Sequence, residues 1–261
     1  MPSTPRLLAF DLDDTLAPSK SPLDPRMIDL LATLLGEVQV CVISGGQFAQ
    51  FSSQIIERLP NLDANTLSRL HLMPTCGTQY YRYESTADNA TPAWTQVYAE
   101  NLTETEKSEA LNAVEKCARE LGYWESETWG PILEDRGSQI TFSALGQGAP
   151  VAAKTAWDPT GVKKNTLREA VQALLPDLEV RSGGSTSVDI TRRGIDKAYG
   201  MTKLAEITDI PFDEMLFIGD RLDPDGNDYP VKALGVPTHA VTGWEDTAGF
   251  LDQWIAAHAA A

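Results

Sequence analysis

Four short apolar runs, each closed by small or acidic residues, set the rhythm of the chain. Leu7-Leu8-Ala9-Phe10, Val38 to Ile43, Leu70 to Met73 and Met215 to Ile218 are short and nearly unbroken, which predicts buried strands of a parallel sheet. From the start to about Tyr83 such runs alternate with helical patterns, including a segment from Gln47 to Leu59, giving α/β character. After Thr191 the alternation resumes, with a helix over Asp196 to Ile207 ahead of the last strand. Between these parts the pattern changes. The polar stretch Glu84 to Thr91 reads as a linker. Thr103-Glu104-Thr105-Glu106 is a capping box, followed by Leu111, Val114, Ala118 and Leu121 at helical spacing. Ile132 to Leu145 alternates around Arg136-Gly137-Ser138-Gln139 and predicts a hairpin. A second helix carries Leu167, Val171 and Leu174 and stops before Pro176. Leu178 to Ile190 predicts another hairpin, turning at Ser182-Gly183-Gly184-Ser185. The middle thus repeats helix, strand, strand, an open antiparallel sheet with helices on one face. The expected organisation is a parallel-sheet core from residues 1–83 and 191–261, with an inserted α+β unit over 84–190.

What ends the apolar runs carries the chemistry. Asp11 and Asp13 follow the first strand two residues apart, so on an extended chain they share a face. Two carboxylates at a strand's carboxyl end can divide the work of nucleophile and general acid/base, or simply form an acidic turn with Thr15. They also repel each other unless a cation intervenes, and hard oxygen ligands beside a phosphate point to Mg²⁺. The second run ends in Ser44-Gly45-Gly46, where a hydroxyl and exposed main-chain N–H groups would cradle a phosphate. Lys197 opens a helix after the turn at Gly194. The last run ends in the acidic loop Asp220 to Asp228. Any one of these fits a structural role, but together they supply nucleophile, hydroxyl, cation and metal carboxylate.

Composition narrows the partners. A chain of 261 residues with 42% hydrophobic content buries one large core or two modest ones. A net charge of −16, with no basic stripe, argues against nucleic acid and anionic membranes. An anionic substrate must then be drawn by local lysines and arginines. Cys41, Cys76 and Cys117 lack metal-ligand spacing and read as reduced thiols of a cytoplasmic protein. No apolar run approaches membrane-spanning length, no signal segment is evident, and the Ala-rich end from Trp254 to Ala261 reads as a fraying helix.

The box from Asp11 to Thr15, with Ser44, Lys197 and Asp220 to Asp228, resembles the four motifs of haloacid dehalogenase-like phosphotransferases. More narrowly, the chain resembles the phosphomannomutase branch and its sugar-phosphatase relatives. That resemblance implies a Rossmann-like core, a large inserted cap, and phosphoryl transfer through an aspartyl-phosphate. It implies Mg²⁺ held by Asp11, the main-chain carbonyl of Asp13, and Asp220. Ser44, Gly45 and Lys197 would take phosphoryl oxygens, Thr15 would steady the loop, and Asp13 would protonate the leaving alcohol. Asn227 and Asp228 would orient Lys197 or a water on the metal, while Asp223 and Asp225 would be solvated.

The cap is expected to set substrate choice. Arg136, Ser187 and Asp189 match family positions that grip the distal phosphate and the sugar hydroxyls. Gln147, Lys154 and Lys20 stand where the family has arginines. A lysine lacks the guanidinium fork and a glutamine lacks charge, so the distal anion site is weakened. A mutase needs that site more than a hydrolase does. The first expectation is therefore a phosphatase acting on a hexose phosphate, and the second is phosphomannomutase, with a homodimer formed through the cap. A module that is phosphorylated or binds a sugar phosphate without turnover is the third. Asp13 argues against it, because a stable acyl phosphate needs no positioned acid. Trp94, Trp124, Trp129 and Trp157 are expected to serve the core rather than stack on sugar.

Overall fold

The computed structural model describes residues 4–85, 91–184 and 186–258. The strands and helices, in chain order, are β1 (Leu7–Phe10), α1 (Pro25–Glu37), β2 (Gln39–Ile43), α2 (Phe48–Gln54), α3 (Ala64–Leu67), β3 (Leu70–Met73), β4 (Gln79–Glu84), β5 (Ala93–Ala99), α4 (Glu104–Glu120), β6 (Leu133–Asp135), β7 (Ile140–Ser143), α5 (Val151–Trp157), α6 (Val162–Leu174), β8 (Leu178–Ser182), β9 (Ser187–Arg192), α7 (Lys197–Thr208), β10 (Met215–Gly219), α8 (Tyr229–Ala233), β11 (Thr238–Ala240) and α9 (Trp244–His258). They form two compact units, one from the start to Tyr98 and from Asp196 onward, the other from Ala99 to Ile195. The first unit continues past Tyr83 because β4 and β5 extend its sheet. Residues 86–90, most of the expected linker, lie outside the described residues, as do Ser185 and Ala259 to Ala261.

The first unit is built on a seven-stranded sheet in the order β11-β10-β1-β2-β3-β4-β5. The five strands from β11 to β3 run parallel, and β4 pairs antiparallel with β3. Its central strands are apolar throughout because both faces are covered. Leu8, Phe10, Val40 and Val42 face α1 and α9, whereas Leu7, Ala9, Cys41 and Ile43 face Met201, Leu204 and Val231. α1 starts where Asp24 accepts a hydrogen bond from Arg26 N, with Pro25 in its first turn, and it buries Met27, Leu30, Leu31, Leu34 and Leu35. From β1 the order runs through β2 to β3 on one side and returns through β10 to β11 on the other. A crevice opens at such a reversal, between β1 and β10, beyond their carboxyl ends.

The expected helix over Gln47 to Leu59 is interrupted. α2 stops at Gln54, and a single 3₁₀ turn covers Ile56–Arg58. Ser53 hydrogen-bonds back to the Gln50 carbonyl, and two β-branched isoleucines follow, both unfavourable to continued helix. At the far end, α9 runs to His258 and Trp254 packs into the core, so the Trp254 side of the expected fraying tail is anchored.

The second unit has a four-stranded antiparallel sheet in the order β6-β7-β9-β8. Both expected hairpins form, and α4 carries the capping box in both directions between Thr103 and Glu106. The inward face of α4 is Ala110, Ala113, Val114, Cys117 and Ala118, with Leu111 and Leu121 only half-buried beside it. α5, after Pro150, is an additional short helix. Ile140, Phe142, Val180, Val188 and Ile190 pack under α4 and α6. The alternate residues of the same strands make the opposite face polar.

A close crossing holds α7 in the first unit. Gly200 abuts the main chain of Cys76 and Gly77 so tightly that a Cβ on it would lie 2.7 Å from the Cys76 carbonyl oxygen and 2.3 Å from Ile43 Cδ1. Alanine favours a helix interior over glycine by about 1 kcal/mol, but overpacking costs about 1–3 kcal/mol. Gly200→Ala is expected to lower stability in urea denaturation; a gain would contradict the crossing.

Candidate active site

Strand register brings the sequence motifs to one edge. Phe10 pairs with Val42 on one side and Ile218 on the other, so Asp11 stands level with Ile43 and Gly219. Ser44 and Asp220 each follow one residue later. Asp11 extends the ladder through its N–H to the Ile218 carbonyl, 3.0 Å. The fourth contributor arrives on α7, whose N-cap Asp196 accepts from Tyr199 N at 3.1 Å and starts the helix at Lys197.

Lys197 is fully buried, and its ammonium contacts both the Asp11 carboxylate and that of Asp228, the latter at 2.6 Å. Asp228 is itself buried and accepts from Arg221 N at 3.1 Å. Carboxylate oxygens of Asp11, Asp220 and Asp228 lie within 4.8 Å of one another. Three carboxylates, two of them buried and Asp220 half-buried, against one ammonium leave an excess of negative charge, which is costly unless a proton or a cation offsets it. Burial lifts the Asp11 carboxyl to about 7, with Lys197 pulling it down and Asp228 and Asp220 adding to the rise. Burial likewise raises Asp220, helped by Asp228. Burial opposes the charge on Lys197, yet Asp11 and Asp228 outweigh it and hold the ammonium above its ordinary range. An all-oxygen, anionic donor set of this kind suits a hard divalent cation.

The remaining motif residues surround this cluster. Thr15 Oγ1 donates to Asp220 Oδ1 at 3.4 Å, and its carbonyl accepts from Thr247 Oγ1 at 2.7 Å. Asp13 is not a member of the three-carboxylate cluster. It accepts from Gln50 Nε2 at 3.0 and 3.2 Å and from Lys20 N at 2.7 Å. Lys20 thus meets the motif loop through its main chain. Ser44 Oγ accepts from Gly46 N at 3.2 Å, and a Cβ on Gly45 would touch only Cys76 Sγ, at 3.9 Å. Asn227, Asp223 and Asp225 are exposed. Two residues here were not foreseen in their present setting: Gln50, and Asp228 as a full member of the acidic cluster. Nothing in the local pattern marks Gln50, a polar residue on a short helix.

Of the four expected substrate residues in the second unit, Ser187 and Asp189 lie on β9, Arg136 follows β6 and Lys154 sits on α5. Asp189 accepts from Thr141 Oγ1 at 2.7 Å, and Thr141 accepts from Gln139 Nε2 at 2.8 Å. Ser187 and Ser143 hydroxyls are 3.2 Å apart, and Ser143 also receives Gln147 Nε2 at 2.6 Å. Lys154 Nζ donates to the Gln147 carbonyl at 2.9 Å. Arg136 pairs with Glu134 at 2.6 Å, and Arg181, unremarked in the pattern, pairs with Glu179 at 3.0 Å. Gln139, Thr141 and Ser143 were signalled only by alternation with Ile140 and Phe142. Among the described residues no helix is long and apolar enough to cross a membrane, and all three cysteines are free thiols.

Comparison with known proteins agrees with this arrangement. Solved structures of similar fold include a Plasmodium falciparum IMP-nucleotidase (TM-score 0.66, 15% identity, 97% of this chain and 68% of that one) and an Aspergillus fumigatus trehalose-6-phosphate phosphatase (TM-score 0.54, 16% identity, 97% and 93%). In sequence, the chain is 25% identical to mouse phosphomannomutase 1 over 92% of its length and 88% of the relative's. It is 26% identical to spinach phosphomannomutase over 95% of each. Residues 27–256 match the family described as eukaryotic phosphomannomutase, and the chain belongs to that family, within the haloacid dehalogenase-like superfamily.

Proposed function

We propose that this protein is a Mg²⁺-dependent phosphotransferase that moves a phosphoryl group between positions of a hexose phosphate, as a phosphomannomutase does. The observation that carries the reading is Lys197, buried between Asp11 and Asp228 beside Asp220. A lysine so placed screens one carboxylate without leaving the site to water. Asp11, Asp220 and the Asp13 carbonyl would hold the ion, which when bound offsets phosphate charge and lets an anionic nucleophile approach. Asp11 then attacks phosphorus in line as the ester P–O bond breaks, giving an acyl phosphate. Asp13, oriented by Gln50 and Lys20 N, gives its proton to the departing sugar oxygen. It later takes a proton from the hydroxyl that accepts the phosphoryl group. Ser44 Oγ, whose lone pair is occupied by Gly46 N, keeps its own proton for a phosphoryl oxygen.

The relatives named phosphomannomutase support transfer back to sugar over transfer to water, reversing the order in which charge alone ranked them. Hydrolysis stays as a second reading on one observation: Gln147 is uncharged and bonded to Ser143, and Arg136 is paired with Glu134, so a second phosphate finds weak purchase. Phosphorus NMR separates the two. With mannose 1-phosphate, Mg²⁺ and a hexose bisphosphate, the 6-phosphate should accumulate with little inorganic phosphate; accumulation of inorganic phosphate instead would select hydrolysis. Asp11→Asn should reduce turnover by about 10³-fold or more, because the nucleophile is lost, while its far-ultraviolet spectrum stays native; retained activity would remove Asp11 from the role.

Proton and metal should compete at the cluster. A carboxyl raised in the folded state binds protons that the unfolded chain has released, so metal-free stability falls as pH rises from about 4 to about 7. The increase in melting temperature on adding Mg²⁺ should therefore be larger at pH 7.5 than at pH 5.5. An increase independent of pH would contradict the competition.

A further inference from the structure

One of the six tryptophans is left outside both cores. Trp254 lies inside the first core, and Trp94 and Trp244 pack against it. Trp157 belongs to the second core, with its Nε1 donating to Glu125 at 2.8 Å. Trp124 lies under the Arg119 guanidinium, 4.2 Å from the ring centre, and packs on the same core. Trp129 alone among them stands half exposed, at 50%. About half of a large aromatic surface is thus open to contact.

Its main chain, by contrast, is fixed. Trp129 N donates to the Leu145 carbonyl at 2.8 Å, and its own carbonyl accepts from Gly148 N at 3.0 Å. The contact is close enough that a Cβ on Gly146, whose φ is +76°, would lie 2.7 Å from the Trp129 carbonyl carbon and from the Gly130 oxygen. Between these glycines sits Gln147, which reaches Ser143 and through it Ser187. The main chain of Trp129 is therefore pinned to the turn that carries Gln147 and, through it, the row of hydroxyl groups.

That pairing has a chemical counterpart. A pyranose ring presents hydroxyls at its rim and a patch of C–H bonds on its face. Those C–H hydrogens are slightly positive and meet the negative face of an aromatic ring, while the rim seeks donors and acceptors such as Ser143, Gln147 and Ser187. A pinned main chain lowers the ordering cost of presenting that side chain to such a weak partner. We infer that Trp129 is a specificity-determining residue on which the hexose ring of the substrate stacks, beside the serine and glutamine row of the second unit. The inference rests on the sugar-phosphate reading and adds the residue that selects a sugar.

Saturation-transfer difference NMR of mannose 6-phosphate on the full chain with Mg²⁺, without a bisphosphate activator, tests it. In the wild type, ring C–H protons should take up saturation from the protein. Trp129→Ala should weaken the dissociation constant about tenfold and lose that signal, and Trp129→Tyr should recover most of both. Equal binding by wild type and Trp129→Ala overturns the stacking role and leaves the phosphotransfer reading standing. Equal losses in the Ala and Tyr variants would also overturn it, since shape rather than an aromatic face would then matter. A change in oligomeric mass in Trp129→Ala would mean that the indole serves self-association instead. A wild type that binds no hexose phosphate would refute the substrate reading and this inference with it.

Discussion

A single buried ammonium organises the catalytic unit. Lys197 has no access to water, so its charge persists only because carboxylates come to it, and Asp11 and Asp228 are tolerable in the interior only because it is there. The three groups come from the end of β1, the first turn of α7 and the N-cap of α8. Their meeting requires that β1 and β10 lie side by side where the sheet order reverses. The close approach of Gly200 to Cys76 and Gly77 holds α7 at the depth from which Lys197 reaches. Packing and charge are coupled here. The cluster still carries more negative than positive charge, and the same excess that raises Asp11 creates the demand for a cation.

The second unit solves a different problem with simpler means. Its sheet buries Ile140, Phe142, Val188 and Ile190 beneath two helices and turns Thr141, Ser143, Ser187 and Asp189 the other way. The polar row is bonded to itself, and its two arginines are paired with glutamates. Such a face has little spare positive charge. It offers hydroxyl and amide groups rather than unpaired cations, which is why charge alone ranked hydrolysis first.

Much of this was legible along the chain because the signals were local. Continuous apolar runs marked the parallel strands, and the capping box at Thr103 marked the start of α4. Acidic and hydroxyl residues closing the runs marked the edge where the acidic cluster gathers. What escaped depended on distance or on competition. β5 pairs with β4 across a polar stretch that reads as a linker, so the first unit extends past Tyr83. The break after Gln54 arises from side-chain competition within a pattern that otherwise favours helix. Gln50 matters only because the loop after β1 folds toward it, and Asp228 joins the acidic cluster only because Lys197 brings its loop and β1 together. Trp129, expected in the core, stands half exposed instead, because its pairing is through its main chain to residues well apart in sequence.

Capture of the phosphoryl group by Asp11 would leave a covalent mark on that residue. Incubation with a hexose bisphosphate and Mg²⁺, acid quench and borohydride reduction converts an acyl phosphate to an alcohol, which peptide mass spectrometry can locate. Homoserine at position 11 is the predicted result; reduction at position 13, or none at any aspartate in a preparation that turns over, would contradict it.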